Sequence, residues 1–337
     1  MAPRISVIVP AKDAEETLPA NLRALDQQTL TRSEYEVIVV DDGSSDGTAG
    51  VAERHQVRCL RQCNRGPAAA RNAGAAVAEG ALLVFTDADC EADPDFLEQL
   101  TGVFEGPEIA GAMGAYHSRQ RERVARFVQQ EFEHKQARMA RRTCINTVHT
   151  YAAAYRRSVF LENGGFDSHY PIPSNEDQEF SYRLASRGYR MVFVPSAGIY
   201  HQHDKTVAEY MKRKYLLGFW KAYTLLKHPK HLTGDTHTPR AQLLEIGLVV
   251  PMLGFAILSL FWHGAAPVTG LMVLGFLLAG VAFSLQVLRR DRAILWMVPG
   301  MLFLRAASQA TGLLVGFVVF GLGWERDLLE PGGGRPG

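Results

Sequence analysis

The sequence predicts an α/β protein: a doubly wound, mostly parallel sheet followed by transmembrane α-helices. Three observations carry this expectation. Strand-like and helix-like segments alternate from residue 1 to about 110. The strand-like runs are apolar throughout, as in a sheet covered on both faces, rather than alternating apolar and polar. Three long uncharged stretches follow Glu245.

"RISVIVP" is a β-branched run stopped by Pro10, and "TLPANLRALDQQT" has helical spacing with Leu18, Leu22 and Leu25 on one face. "YEVIVVDDGSSDGT" reads as a second strand running into a turn, "GTAGVAERH" as a helix, and "QVRCLRQ" as a third strand. "GPAAARNAGAAVAEG" is helical and "ALLVFTDAD" is a fourth strand. The β-α-β-α order implies right-handed crossovers, with a ligand site beyond the carboxyl ends of the strands. Farther on, residues 120–142 form a charged amphipathic helix. "YAAAYRRSVFLENGGFD" is a strand, a short helix and a tight turn; "NEDQEFSYRLASRG" is a helix ended by Gly188, and "YRMVFVPSAGIYH" is a further strand.

Residues 206–242 mix aromatics and leucines with Lys and Arg, a composition suited to helices lying in a headgroup region. Residues 246–262, 265–288 and 306–324 carry no charge, and about 20 apolar residues suffice to cross a bilayer. Basic residues from Lys212 to Arg240 precede the first stretch, and Arg289, Arg290 and Arg292 lie between the second and third. "HGAAP", between the first and second, has none. The positive-inside rule then puts both basic groups in the cytoplasm and the tail from Glu325 on the opposite side. Arg305 lies inside the last apolar region, where it must snorkel or face another helix. "MAPRISVIVPAKD" has an apolar run too short for a signal peptide, so the large domain should stay cytoplasmic.

The formal net charge of +1 gives no case for nucleic-acid binding. Cys59, Cys63, Cys90 and Cys144 lack zinc-like spacing and read as free thiols of a reducing compartment.

Three acidic clusters sit where such a sheet places its ligand. Asp41 and Asp42 end the second strand; Asp42 could accept from a nucleoside base or ribose, and turn formation alone would also put Asp there. Asp87 and Asp89 close the fourth strand. Hard divalent cations take oxygen ligands of this kind, though Asp-x-Asp by itself is weak. Glu91 and Asp93, before Pro94, read as the opening of the next helix. Glu176 and Asp177 start a helix, where the dipole favours carboxylates and where a general base could also stand. Arg71 and Asn72 offer a cation and an amide for a diphosphate, or a solvated helix face. No G-x-G-x-x-G follows the first strand, which excludes the usual dinucleotide fold.

Together these segments resemble the family 2 glycosyltransferases with a GT-A fold. "SVIVPAKDAEETLPANLRAL", "EVIVVDDGSSDGT", "NRGPAAARNAGAAVAEGALLVFTDADC", "RRSVFLENGGFD" and "NEDQEFSYRLASRGYRMVFVP" stand in the family's order and spacing. The resemblance implies that Pro10 and Asp42 hold the nucleotide base and that Arg71 lies near the diphosphate. It implies that Asp87 contacts ribose and that Asp89 holds a Mg²⁺ or Mn²⁺ bridging the diphosphate. Asp177, with Glu176 beside it, matches the catalytic base, and Gly165, Phe166 and Asp167 match the acceptor-side turn. His201 or His203 falls where some relatives place a metal or phosphate ligand. Lys12 and Asp13 replace the family's usual aromatic or Arg followed by Asn. Residues 110–150, where acceptor choice should reside, match no motif.

The implied organisation is a cytoplasmic GT-A domain over 1–205, with a nucleotide-sugar half at 1–110 and an acceptor half at 111–205. Amphipathic interface helices occupy 206–242, three transmembrane helices 243–324, and a short flexible tail 325–337. The implied protein is an integral membrane enzyme, in a bacterial inner membrane. It inverts a sugar as it moves it from a nucleotide-diphosphate sugar to a lipid or lipid-linked acceptor, a polyprenyl phosphate among them. The alternatives are a nucleotidyltransferase, against which the missing Gly-rich phosphate loop speaks, and a membrane scaffold with a degenerate transferase fold.

Overall fold

The structure, a computed structural model, describes residues 3–55, 57–231 and 234–324. The flexible tail expected at 325–337 lies outside them. The chain forms two compact units, one of residues 1–119 and 136–202, the other of residues 120–135 and 203–337.

The first unit is built on an eight-stranded sheet of order β3-β2-β1-β4-β7-β6-β8-β5. β1 (Ile5–Ala11), β2 (Tyr35–Asp42), β3 (Arg58–Gln62) and β4 (Leu82–Phe85) are mutually parallel, with Ile5 opposite Tyr35 and Leu82. α1 (Leu18–Asp26), α2 (Thr48–Arg54) and α3 (Pro67–Val77) are the crossovers between them. β1, β2 and β4 are buried on both faces almost throughout, which is why they read as continuous apolar runs. β7 (Ala153–Arg156) is antiparallel to both β4 and β6 (Ile109–His117), and β8 (Arg190–Tyr200) is parallel to β6.

Small residues bring α3 close to the sheet. A Cβ on Gly74 would lie 2.6 Å from the Ile8 side chain, so a larger residue would push the helix away. Arg71, one turn earlier, is carried in toward the end of β4.

One sequence expectation needs correction here. Glu91 and Asp93 do not open a helix. Glu91 and Ala92 form the short strand β5, antiparallel to β8, with Glu91 opposite Tyr200. Asp93 N donates to Gly198 O, and α4 (Phe96–Gly102) starts beyond both. Pairing with β8 is long-range and leaves no mark in the local pattern.

A cluster of rings lies under the carboxyl end of β4. Phe85, Tyr155, Phe160, Phe166 and Phe180 meet with centroids 5.0–6.5 Å apart, mostly edge to face. These rings come from β4, β7, α6 (Arg157–Glu162), the turn after it and α7 (Glu176–Ser186). The cluster therefore fixes the strand that ends at Asp87 to the helix that begins at Glu176.

In the second unit the helices are α8 (Val207–Lys227), α9 (Arg240–Leu258), α10 (Ala266–Arg290) and α11 (Val298–Gly321), joined by the part of α5 (Arg123–Met139) up to Lys135. α8 starts with a full capping box between Thr206 and Glu209. Three segments, Arg240–Leu258, His263–Arg290 and Arg292–Gly321, are long and apolar enough to cross a membrane. Their outward positions are large and apolar, including Leu253, Ile257, Leu271 and Leu278.

α8 and α11 meet through glycines: a Cβ on Gly312 would lie 2.1 Å from Tyr215 O, and one on Gly218 2.4 Å from Gln309 O. Buried among these helices is an ionic network. Glu131 receives Arg305 at 2.6 Å, Lys214 at 3.0 Å and the Tyr210 hydroxyl at 3.1 Å, and Arg305 also binds Glu245. Arg305 thus faces protein, the second of the two options the sequence left. The neighbouring cations hold the Glu131 carboxyl far below its usual range against the effect of burial.

Candidate active site

The carboxyl ends of β1, β2 and β4 supply the first side chains. Pro10 is the penultimate residue of β1, opposite Val40. Asp13 follows with a positive φ of 47°. Its carboxylate accepts from Ser45 N at 2.8 Å and from the Ser45 hydroxyl at 3.0 Å, and its own N–H donates to Ser44. Lys12 Nζ donates to Gly43 O at 3.3 Å. The unusual Lys12-Asp13 pair therefore ties the loop after β1 to the turn after β2.

Asp42 is buried, and protein groups engage both its oxygens: Gln62 Nε2 at 2.7 Å, Arg65 N at 2.8 Å and Gly66 N at 2.9 Å. In this arrangement Asp42 secures the loop entering α3. Asp41 accepts from Ser44 N at 2.9 Å and closes the turn.

Arg71 is only 3% exposed and is no solvated helix face. One Nη donates to Asp87 Oδ1 at 2.7 Å and the other to Glu176 Oε1 at 2.8 Å. Burial opposes its charge, but the two carboxylates more than offset that and hold the guanidinium firmly protonated. Burial pushes the Glu176 carboxyl up, Arg71 counters, and the neighbouring Asp177 adds to the rise. Asn72 clamps the backbone of Phe166 from both sides, at 2.8 and 2.9 Å. Gly165, at φ +64°, passes so close that a Cβ would lie 2.5 Å from Asn72 Oδ1. So α3, through two adjacent side chains, holds the Asp-x-Asp strand end, the Glu-Asp helix start and the turn at 164–167.

Asp177 sits in the first turn of α7 and is 7% exposed. Its Oδ1 accepts from Gln178 N at 2.6 Å, and its Oδ2 lies 3.0 Å from His149 Nδ1 and 3.3 Å from Thr150 N.

At the other end, Asp89 Oδ2 lies 2.9 Å from His201 Nε2, and the Tyr116 hydroxyl is hydrogen-bonded to His201 Nδ1. Asp89, Cys90 and His201 offer ligand atoms within 4.8 Å of one another. A carboxylate oxygen suits either Mg²⁺ or Mn²⁺, an imidazole nitrogen beside it favours Mn²⁺ of the two, and Tyr116 on the far ring nitrogen fixes the ring as such a ligand requires. Cys90 fits less well, since burial pushes its thiol well above its usual range and keeps the proton on. His203 makes its contacts elsewhere, with Gln129 Oε1 at 2.9 Å and stacked on Phe132 at 5.3 Å.

Three residues here escaped the sequence reading: Tyr116, His149 and Tyr151. They form a row of rings, His149 on Tyr151 at 5.7 Å, Tyr151 on Tyr116 at 4.4 Å, and Tyr116 on His201 at 5.2 Å. The row runs from Asp177 to Asp89. Two of them lie within 110–150, which carried no motif, and only the spacing His-x-Tyr hinted at a shared face.

A parallel half-sheet with acidic strand ends is extended here by an antiparallel strand and a carboxylate-bearing helix, an arrangement shared with known glycosyltransferases. Residues 6–164, just under half of the chain, match the family described as glycosyl transferase family 2, and the chain is a glycosyltransferase. It is 27% identical to glycosyltransferase AglE of Haloferax volcanii over 228 residues, which cover 64% of this chain and 72% of that one. It is 32% identical to the undecaprenyl-phosphate 4-deoxy-4-formamido-L-arabinose transferase of Proteus mirabilis over 117 residues, 32% of this chain and 36% of that one. It spans about half the length of several other curated relatives it matches. The fold is shared with the mannosyltransferase PcManGT of Pyrobaculum calidifontis, solved with GDP-Man and Mn²⁺. The TM-score is 0.56 at 19% identity, covering 92% of this chain and 87% of that one.

Proposed function

We propose that the protein is an inverting, membrane-anchored glycosyltransferase that moves a sugar from a nucleotide-diphosphate sugar to a membrane-associated acceptor. One observation carries this reading most directly: Arg71 joins Asp87 to Glu176 and so brings the Asp-x-Asp strand end beside the Glu-Asp helix start. The donor class is supported by the fold shared with a GDP-Man complex. The anchoring is supported by the three apolar helices, with the basic flanks at Lys212–Arg240 and Arg289–Arg292 facing the cytoplasm.

In this reading Asp177 takes the proton of an acceptor hydroxyl as its oxygen attacks the anomeric carbon. The bond from that carbon to the diphosphate breaks on the opposite face, and the nucleoside diphosphate leaves with the electron pair. Asp89 and His201 would hold a Mg²⁺ or Mn²⁺ ion. When bound, such an ion neutralises charge developing on the leaving diphosphate. Glu176, pinned by Arg71 and by Ser174 N at 2.9 Å, keeps the start of α7 in place.

A base is of use only to an acceptor that carries a proton, which favours a hydroxyl. The second reading is transfer to a polyprenyl phosphate, supported by the relative from Proteus mirabilis. A screen of nucleotide sugars with Mn²⁺ or Mg²⁺, read by thermal shift and then by release of nucleoside diphosphate, tests the donor half. Asp177→Asn separates the acceptors: the variant binds donor and loses transfer to a hydroxyl, and keeps transfer to a phosphate. If no nucleotide sugar gives a thermal shift with metal present, the proposal fails.

A further inference from the structure

Asp177 is held more tightly than a carboxylate at a helix start requires. The dipole of α7 and the Gln178 N–H would stabilise its charge without help. Yet Oδ2 has two further partners, His149 and Thr150 N, both contributed by the segment just before β7. A carboxylate oxygen only accepts, so Nδ1 of His149 carries the proton of that bond in either the neutral or the charged ring. The ring is itself fixed. It stacks on Tyr151 with an interplanar angle of 17°, and Tyr151 lies on Tyr116. The backbone beside it is tied to the same helix, since Val148 N donates to the Ser181 hydroxyl at 2.9 Å and that hydroxyl donates to Asp177 O at 2.7 Å.

We propose that His149 is a positioning residue for Asp177: its Nδ1 hydrogen bond fixes the carboxylate so that one oxygen meets the acceptor proton from a single direction. This rests on the reading of Asp177 as the base. The physical need is geometric, because a base must come within about 2.6–3.2 Å of the proton it takes, and a small rotation of the carboxylate ends that reach.

The test uses the full-length protein in detergent with Mn²⁺ and the nucleotide sugar giving the largest thermal shift. Nucleoside diphosphate release is measured with water as acceptor. An Asn side chain places its amide nitrogen near the position of Nδ1, and a Gln side chain places it near Nε2. His149→Asn is expected to keep turnover within about tenfold of wild type. His149→Gln and His149→Phe are expected to lose about 10- to 100-fold in kcat with the donor KM unchanged, in line with other orienting hydrogen bonds. Equal kcat in all three variants and wild type overturns the inference. So does a loss confined to donor KM, or equal losses in Asn and Gln variants that follow their Tm. Where His149→Phe fails to fold, the Asn and Gln pair carries the comparison. Asp177→Asn is run beside them: if it keeps turnover, the base reading itself has failed. If it is dead while the His149 variants are active, only the role of His149 has.

Discussion

Arg71 and Glu176 lie 105 residues apart in the chain and 2.8 Å apart in space, both buried. With Asp87 on the other arm of the guanidinium, this one side chain spans the two acidic motifs of the site. Removing one partner of a buried ionic set leaves the others uncompensated, at a cost of about 3–5 kcal/mol. Arg71→Met should therefore lower Tm and abolish turnover. Arg71→Lys should keep a charge and lose the two-armed geometry, giving weak activity. Calorimetry and nucleoside diphosphate release check both; a fully active Lys variant would show that charge alone suffices.

The Asp89–His201 pair gives a second expectation. Asp89→Ala or His201→Ala should remove the Mn²⁺-dependent part of the thermal shift and the metal dependence of turnover. His203→Ala should leave both in place, since His203 is bound to Gln129 and Phe132. Titration of Mn²⁺ against each variant decides the matter, and a metal response retained in Asp89→Ala would remove the assignment.

The network around Glu131 predicts an asymmetry. Arg305→Leu alone leaves Glu245 without its Arg305 partner and Glu131 with one cation fewer, and should destabilise the helical unit by about 3–5 kcal/mol. Arg305→Leu combined with Glu245→Leu should recover much of that loss, because Lys214 and the Tyr210 hydroxyl still satisfy Glu131. Unfolding in detergent compares the two. A double variant no more stable than the single one would contradict this account.

Lys135, half-buried on α5, sits near Lys214, Glu131, Arg305 and Asp235. Burial first and the Lys214 charge second push its ammonium down from 10.5 to about 7, against the pull of Glu131. In the unfolded chain the lysine keeps its proton up to its ordinary value, so the unfolded state binds more protons between these limits. Stability should then rise with pH from about 7 to 10.5, and the penalty is fully present below 7. Lys135→Met should raise Tm most at pH 6 and least at pH 10. A constant difference across that range would show that Lys135 titrates normally.

Three of the first four strands, β1, β2 and β4, were legible because each is an apolar run buried on both faces, whereas β3 is partly exposed and carries Arg58 and Arg61. The acidic motifs were legible because each falls at the end of such an element. What the sequence hid is pairing at a distance. Arg71 reads equally well as a solvated helix residue, and only the ring cluster of Phe85, Phe166 and Phe180 reveals why Glu176 stands beside it. Glu91 followed local helix-start chemistry, which the pairing with Tyr200 overrode. His149 was silent because its partner lies 28 residues on, beyond any local pattern.

The glycine contacts between α8 and α11 have a mechanical consequence. A basic, aromatic helix held to a lipid surface by charge alone can be lifted off by salt or by phosphorylation. With Gly218 set against Gln309, and Gly312 against Tyr215, the backbone of α8 is seated on that of an apolar helix, and leaving the surface would mean unpacking it. On the proposed reading of α8 as an interface helix, its place at the surface is a fixed setting of the fold, with no release catch.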